Sequence, residues 1–146
     1  MPELVIDASI AVKWLNPHES LSDKANLIRE DYERGLVSFS MPMFWEYEVA
    51  NGLNKAVARG HLSEEEGREA IALLLALPAQ KAALPSPQES YQLARTYQRS
   101  VYDSWYVHLA EMKGCEFWTA DRKLFNALKE TKPWIRWLAD YQSQAT

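Results

Sequence analysis

The chain is expected to fold as an α/β protein with a mostly parallel central sheet and helices packed on its faces. Three observations carry that expectation. Short strand-like runs alternate with longer stretches of helical periodicity, the order that parallel strands need because each return crosses over through a helix. Two of those runs, Leu4 to Ile6 and Glu116 to Thr119, stop at or just before an aspartate, where an open α/β sheet places its ligands. The 146 residues suit one domain spanning 1–146, and a chain of that length buries roughly 70% of its unfolded surface.

Leu4, Val5 and Ile6 form a short buried strand ending at Asp7, and Ala8 to Leu15 follow as a short helix stopped by Asn16 and Pro17. A second helix runs from Ser22 to Arg34 with Gly35 as its terminator, and Leu36 to Phe39 reads as the next strand. Beyond Pro42, Trp45, Val49, Leu53 and Ala56 recur at intervals of three and four, which makes Phe44 to Arg59 an amphipathic helix closed by Gly60. Ser63 and Glu66 are spaced as a capping box for the next helix. Ile71, Leu74, Leu75 and Leu77 supply its buried face up to Pro78, and the resulting αα-hairpin flanks the domain.

Leu84 to Pro87 break the pattern too briefly to serve as an interdomain linker. Helices follow over Gln88 to Tyr97 and Val101 to Lys113, the second stopped by Gly114. Glu116 to Thr119 reads as a strand, Arg122 to Lys129 as a short helix, and Ile135 to Leu138 as a last strand after Pro133. No internal repeat and no low-complexity segment interrupts this order.

Hydrophobic residues at 47% and charged residues at 25% are ordinary globular composition and exclude extended disorder. The formal net charge of -4 carries no bulk signal for nucleic acid, so any phosphate substrate must be met locally. Cys115 is the lone cysteine and has no internal disulfide partner, and the start MPELVIDAS lacks the basic and apolar regions of a secretory signal. The expected location is therefore cytoplasmic. The most apolar stretch, Ala70 to Leu77, is too short to span a bilayer, so no membrane partner is expected. His18, His61 and His108 match no zinc spacing, the six tryptophans read as core or interface anchors, and no P-loop, GxGxxG or GxSxG motif is present.

The chemistry-bearing candidates are acids: Asp7 in LVIDAS, Glu48 in WEYEVAN, Asp103 in SVYDSWY and Asp121 in FWTADRK. Each has a bland reading. Asp7 and Asp121 each separate a strand from a helix and suit an N-cap as well as a ligand. Ser100-x-x-Asp103 is spaced as a capping-box variant. Glu48 falls in line with Gly52, Lys55 and Arg59 on what reads as a solvated helix face. Together, however, the four describe a carboxylate cage whose hard oxygen donors favour Mg²⁺ or Mn²⁺ over zinc. Holding like carboxylates about 4 Å apart costs roughly 4 kcal/mol per pair at an effective dielectric of 20, a cost a dication relieves.

Those motifs, in VIDASIAVKWL, EVANGLNKAVARGHLS and YDSWYVHLAEMKGCEFWTADRKLF, resemble the PIN domain family of metal-dependent ribonucleases, specifically the VapC-type toxins of bacterial toxin-antitoxin pairs. The resemblance covers nearly the whole chain. It implies a PIN-like three-layer fold, with Asp7 ending the first strand and Glu48 opening an E-V-x-N-like run, where Glu46 is the rival. It further matches Asp103 to a YD-x-x-Y pattern and Asp121 to a T-x-D stretch, and it gives Ser9 and Thr119 hydroxyl roles beside the metal ligands. The implied activity is hydrolysis of RNA with Mg²⁺ or Mn²⁺, leaving a 5′-phosphate and a 3′-hydroxyl. The implied partners are RNA, a small antitoxin protein and a second copy of the chain.

Three other readings compete. The fold without catalysis would be an RNA- or partner-binding module, and a PIN nuclease without an antitoxin would serve RNA processing. A phosphatase using Asp7 as nucleophile would need a second aspartate where the chain has Ser9. Lys13, Lys55, Arg59, Arg99, Arg122 and Lys123 are able to meet an RNA backbone but read first as solvated charges.

Overall fold

In the computed structural model, which describes residues 1–145, five parallel strands lie in the order β3-β2-β1-β4-β5. The strands are β1 (Glu3–Ile6), β2 (Ser38–Pro42), β3 (Gln80–Ala82), β4 (Glu116–Thr119) and β5 (Ile135–Trp137). The helices are α1 (Ala8–Trp14), α2 (Ser22–Glu33), α3 (Trp45–Ala58), α4 (Glu64–Leu75), α5 (Pro87–Tyr97), α6 (Val101–Lys113) and α7 (Arg122–Leu128), with a 3-10 turn at Leu138–Asp140. Among the described residues no helix is long and apolar enough to cross a membrane.

The strand order fixes where a ligand can enter. From β1 the chain builds outward through β2 and β3, then returns to the other side of β1 for β4 and β5. The reversal falls between β1 and β4, and an open sheet leaves a crevice at the carboxyl ends of such a pair. Leu4, Val5 and Ile6 stand opposite Glu116, Phe117 and Trp118. Asp7 and Thr119 therefore leave the sheet side by side, with the Asp7 amide donating to the Trp118 carbonyl at 3.3 Å.

Both central strands are buried on both faces, as parallel strands covered by helices must be: Val5, Ile6 and Phe117 are fully buried and Leu4 and Trp118 nearly so. Helix α6 lies against β1, β2 and β4, burying Trp105, Tyr106, Leu109 and Ala110. Helices α1 and α3 approach so closely that a Cβ on Gly52 would sit 2.5 Å from Val12 Cγ2. That approach lays the first turns of α3 beside the end of β1.

Three expectations need correction. The second strand begins at Ser38 rather than Leu36, because the α2 terminus claims the preceding residues: Gly35 turns with φ 73° and the Leu36 amide donates to the Asp31 carbonyl at 2.8 Å. Strand β3 was not foreseen. Its residues carry no apolar alternation, and it forms as an edge strand because Gln80, Lys81 and Ala82 pair with Ser40, Met41 and Pro42. Leu75 is 62% exposed rather than buried, since the inward face of α4 is Gly67, Ala70 and Leu74. The capping box is present, with Ser63 and Glu66 bonding each other's amides at 3.0 and 2.8 Å.

Candidate active site

Asp7 leaves β1 straight into the crevice and is only 6% exposed. Its two oxygens accept from two hydroxyls, Oδ1 from Ser9 Oγ and Oδ2 from Thr119 Oγ1, the latter at 2.5 Å. Each hydroxyl is itself aimed by the backbone: Ser9 Oγ accepts from the Ala120 amide at 3.1 Å and Thr119 Oγ1 from the Asp121 amide at 3.0 Å. With those lone pairs occupied, both protons point at Asp7. Asp7 stands at the N-cap position of α1 but accepts from none of that helix's backbone amides, so capping does not account for it. Burial pushes its carboxyl up to about 7; the Ser9 and Thr119 bonds oppose that rise, while the charges of Asp103 and Asp121 add to it.

The other three acids reach the crevice from separate elements. Asp121 does cap α7, its Oδ1 accepting from the Leu124 amide at 3.1 Å, and its Oδ2 has no hydrogen bond among the described residues. For α6 the cap is Ser100, whose Oγ accepts from the Asp103 amide at 3.0 Å. The Asp103 carboxylate faces Arg99 at 3.8 Å instead of closing a capping box. Burial and then Asp121 push the Asp103 carboxyl above its ordinary range, against Arg99 and Ser100. Glu48 is half-buried rather than solvated, and its Oε1 accepts from Tyr106 Oη at 2.7 Å. Burial raises its carboxyl, the Tyr106 bond lowers it, and Asp103 raises it again. Glu46 points elsewhere, ion-paired with Lys81 of β3.

Asp7, Glu48, Asp103 and Asp121 thus line one open cleft of about 330 Å³, together with Ala8, Ser9, Asn51, Gly52 and Lys55. Among the described residues no three His, Cys, Asp or Glu side chains close into a ready ligand shell. Like charges in a half-buried cleft hold apart, and Mg²⁺ needs no such shell, because it keeps several waters and takes one or two carboxylates directly. The all-oxygen donor set fits a hydrated Mg²⁺ or Mn²⁺.

Asn51, Gly52 and Tyr106 belong to this site and were not singled out as site residues from the sequence, while Lys55 was named there only among the cations able to meet an RNA backbone. The signal for Tyr106 was the last position of YD-x-x-Y, three residues after Asp103 and so on the same helix face. The signal for Asn51 and Lys55 was their spacing of three and seven from Glu48.

The sequence matches the PIN domain family over residues 4–130. It is 31% identical over 122 residues to Ribonuclease VapC12 of Mycobacterium tuberculosis, covering 83% of this chain and 88% of that one. It is 31% identical over 126 residues to Ribonuclease VapC3 of Pyrobaculum aerophilum, covering 84% and 92%. The crystal structure of PAE2754 from Pyrobaculum aerophilum superposes with a TM-score of 0.68 at 20% identity, over 94% of this chain and 92% of that one. That of Mycobacterium tuberculosis VapC20, described as a sarcin-ricin loop cleaving toxin, superposes with a TM-score of 0.59 at 14% identity, over 86% and 95%. The match over most of the chain, the parallel sheet and the acids at its β1/β4 reversal agree: the chain belongs to the PIN domain family.

Proposed function

We propose that the protein is an endoribonuclease that hydrolyses RNA phosphodiester bonds with Mg²⁺ or Mn²⁺ and acts as the toxin of a toxin-antitoxin pair. The observation that carries this reading is the meeting of Asp7, Glu48, Asp103 and Asp121, drawn from four elements, in one cleft at the sheet reversal. These four residues would hold the ion, which supplies charge stabilisation at the phosphate and a water of lowered pKa.

The chain's own groups do the rest. Ser9 and Thr119 fix the direction of Asp7 and so fix where a ligand of its carboxylate stands. Asp7, its carboxyl pushed up to about 7 by burial, would release its proton on binding a dication. Glu48 and Asp103 reach the same cleft from α3 and α6 and would orient the attacking water beside the ion. Attack by water rather than by the ribose hydroxyl leaves a 5′-phosphate and a 3′-hydroxyl.

Single-stranded or loop RNA is the substrate class, since unpaired bases are what proteins read in RNA, and the related VapC20 is described as cutting a loop. The partners that go with this reading are a small antitoxin and a second copy of the chain, and the site of action is the cytoplasm. An apolar groove of about 610 Å³ between α5 and α6, rimmed by Leu84 and Met112 at 49% and 62% exposure, is a surface that a protein partner would cover. Mapping the ends of RNA fragments tests the chemistry. The expected products carry 5′-phosphates and require Mg²⁺ or Mn²⁺; 2′,3′-cyclic ends that persist in chelator would refute it.

A further inference from the structure

One wall of the cleft is a face of α3. Glu48, Asn51 and Lys55 follow one another at three and four residues, the spacing of helix neighbours, and all three line the cleft with the aspartates. At the helical rise, Lys55 stands about 10 Å along the axis from Glu48. Four other lysines are engaged by oxygen partners: Lys13 with Glu19 at 3.1 Å, Lys24 with the Tyr141 carbonyl at 2.7 Å, Lys113 with Glu3 at 3.5 Å, and Lys81 with Glu46; Lys123, outside the cleft, has no such partner among the described residues. The Lys55 ammonium has no hydrogen bond and no ion pair among the described residues, although it shares the cleft with four carboxylates. The Asn51 side chain is exposed and likewise without a hydrogen bond among the described residues. A free ammonium and a free amide therefore flank the acidic floor.

A polyanion entering a carboxylate-lined cleft on a chain of net charge -4 needs a cation beside the floor as well as on it. We propose that Lys55 binds a phosphodiester neighbouring the one that is cut, with Asn51 bonding the same backbone, so that the α3 wall is the track on which RNA enters. The inference rests on the ribonuclease reading. A lysine is a point charge that recognises phosphate without reading sequence, so its contribution is to affinity and register rather than to base choice.

Anisotropy titrations of a short fluorescein-labelled oligouridylate test it, with Mg²⁺ present and Asp121→Asn as the common background so that the probe stays intact. Each phosphate contact on a single strand contributes a salt slope of about 0.7. Lys55→Gln is expected to flatten the slope by about that amount and to weaken binding roughly five- to tenfold at about 50 mM salt. Lys55→Arg should restore both, and Lys113→Gln, at the opposite end of the sheet, should change neither. With Asp121 intact, Lys55→Gln should raise KM on a cleaved RNA and leave kcat within about twofold. An unchanged slope and KM in a protein that still cuts RNA would overturn the role of Lys55 alone. Failure of the wild type to cut RNA would overturn the nuclease reading and this inference with it.

Discussion

Asp7→Asn should make the metal-free protein more stable at neutral and alkaline pH. Asp7 is held near 7 in the folded protein against an ordinary 3.8. A folded-state pKa raised in this way contributes stability that is complete below about 3.8 and lost as pH rises through about 7. At 1.36 kcal/mol for each pH unit, the ionised carboxylate costs the fold about 4 kcal/mol at pH 8. An amide in its place carries no charge but can accept only on its oxygen, so one of the Ser9 and Thr119 bonds is disturbed, at about 1 kcal/mol. The net gain is about 3 kcal/mol, or roughly 10 °C in Tm for a chain of this size. Urea denaturation in chelator at pH 8, 6 and 4.5 measures it, with the advantage of Asp7→Asn shrinking at each step down. Mg²⁺ should then raise the wild-type Tm and hardly move that of Asp7→Asn. An Asp7→Asn protein no more stable than wild type at pH 8, or an advantage that does not shrink in acid, would refute the assignment of a strained carboxylate.

Tyr106→Phe removes the hydroxyl that bonds Glu48 at 2.7 Å and lowers its pKa; cleavage should fall roughly tenfold, and the acid limb of the pH–rate profile should move to higher pH. Gly52→Ala places a Cβ 2.5 Å from Val12 Cγ2, on a β-branched side chain that is stiff within a helix. Despite better helix propensity, calorimetry should show a loss of about 1–3 kcal/mol. Asp31 is fully buried and clasps the C-terminal segment through Ser143 Oγ, Tyr141 Oη and the Gln144 amide at 2.6, 2.7 and 2.8 Å. Burial raises its carboxyl, but these bonds outweigh it and hold it below its ordinary value, so its stabilisation is present above about 3.8 and lost as pH falls through the depressed pKa. Asp31→Ala should cost about 3 kcal/mol at pH 7 and open the segment after Tyr141 to limited proteolysis.

What the amino-acid order reveals here is what is local. An apolar run ending in aspartate placed Asp7 at the end of β1, and the same logic put Asp121 just past β4. The three-and-four spacing of Trp45, Val49, Leu53 and Ala56 marked the buried side of α3, and all four are buried. What stayed hidden depends on partners distant in the chain. Glu48 looks like a solvated glutamate until Tyr106, 58 residues away, is folded against it. Whether Glu46 or Glu48 enters the cleft is decided by Lys81 on β3, a strand with no pattern of its own. The Asp31 clasp joins groups 110 or more residues apart and leaves no periodic trace. For Asp121 the capping reading holds with one oxygen, Oδ1 on α7, and its other oxygen makes no hydrogen bond among the described residues.

The most direct measurement incubates mixed cellular RNA with purified wild type, Asp7→Asn and Glu46→Gln, each with Mg²⁺, Mn²⁺ or chelator, and follows the RNA on denaturing gels. The cleft described here predicts cutting by wild type and Glu46→Gln only when metal is present, and none by Asp7→Asn. Cutting that survives chelation, or that Asp7→Asn retains, would contradict it.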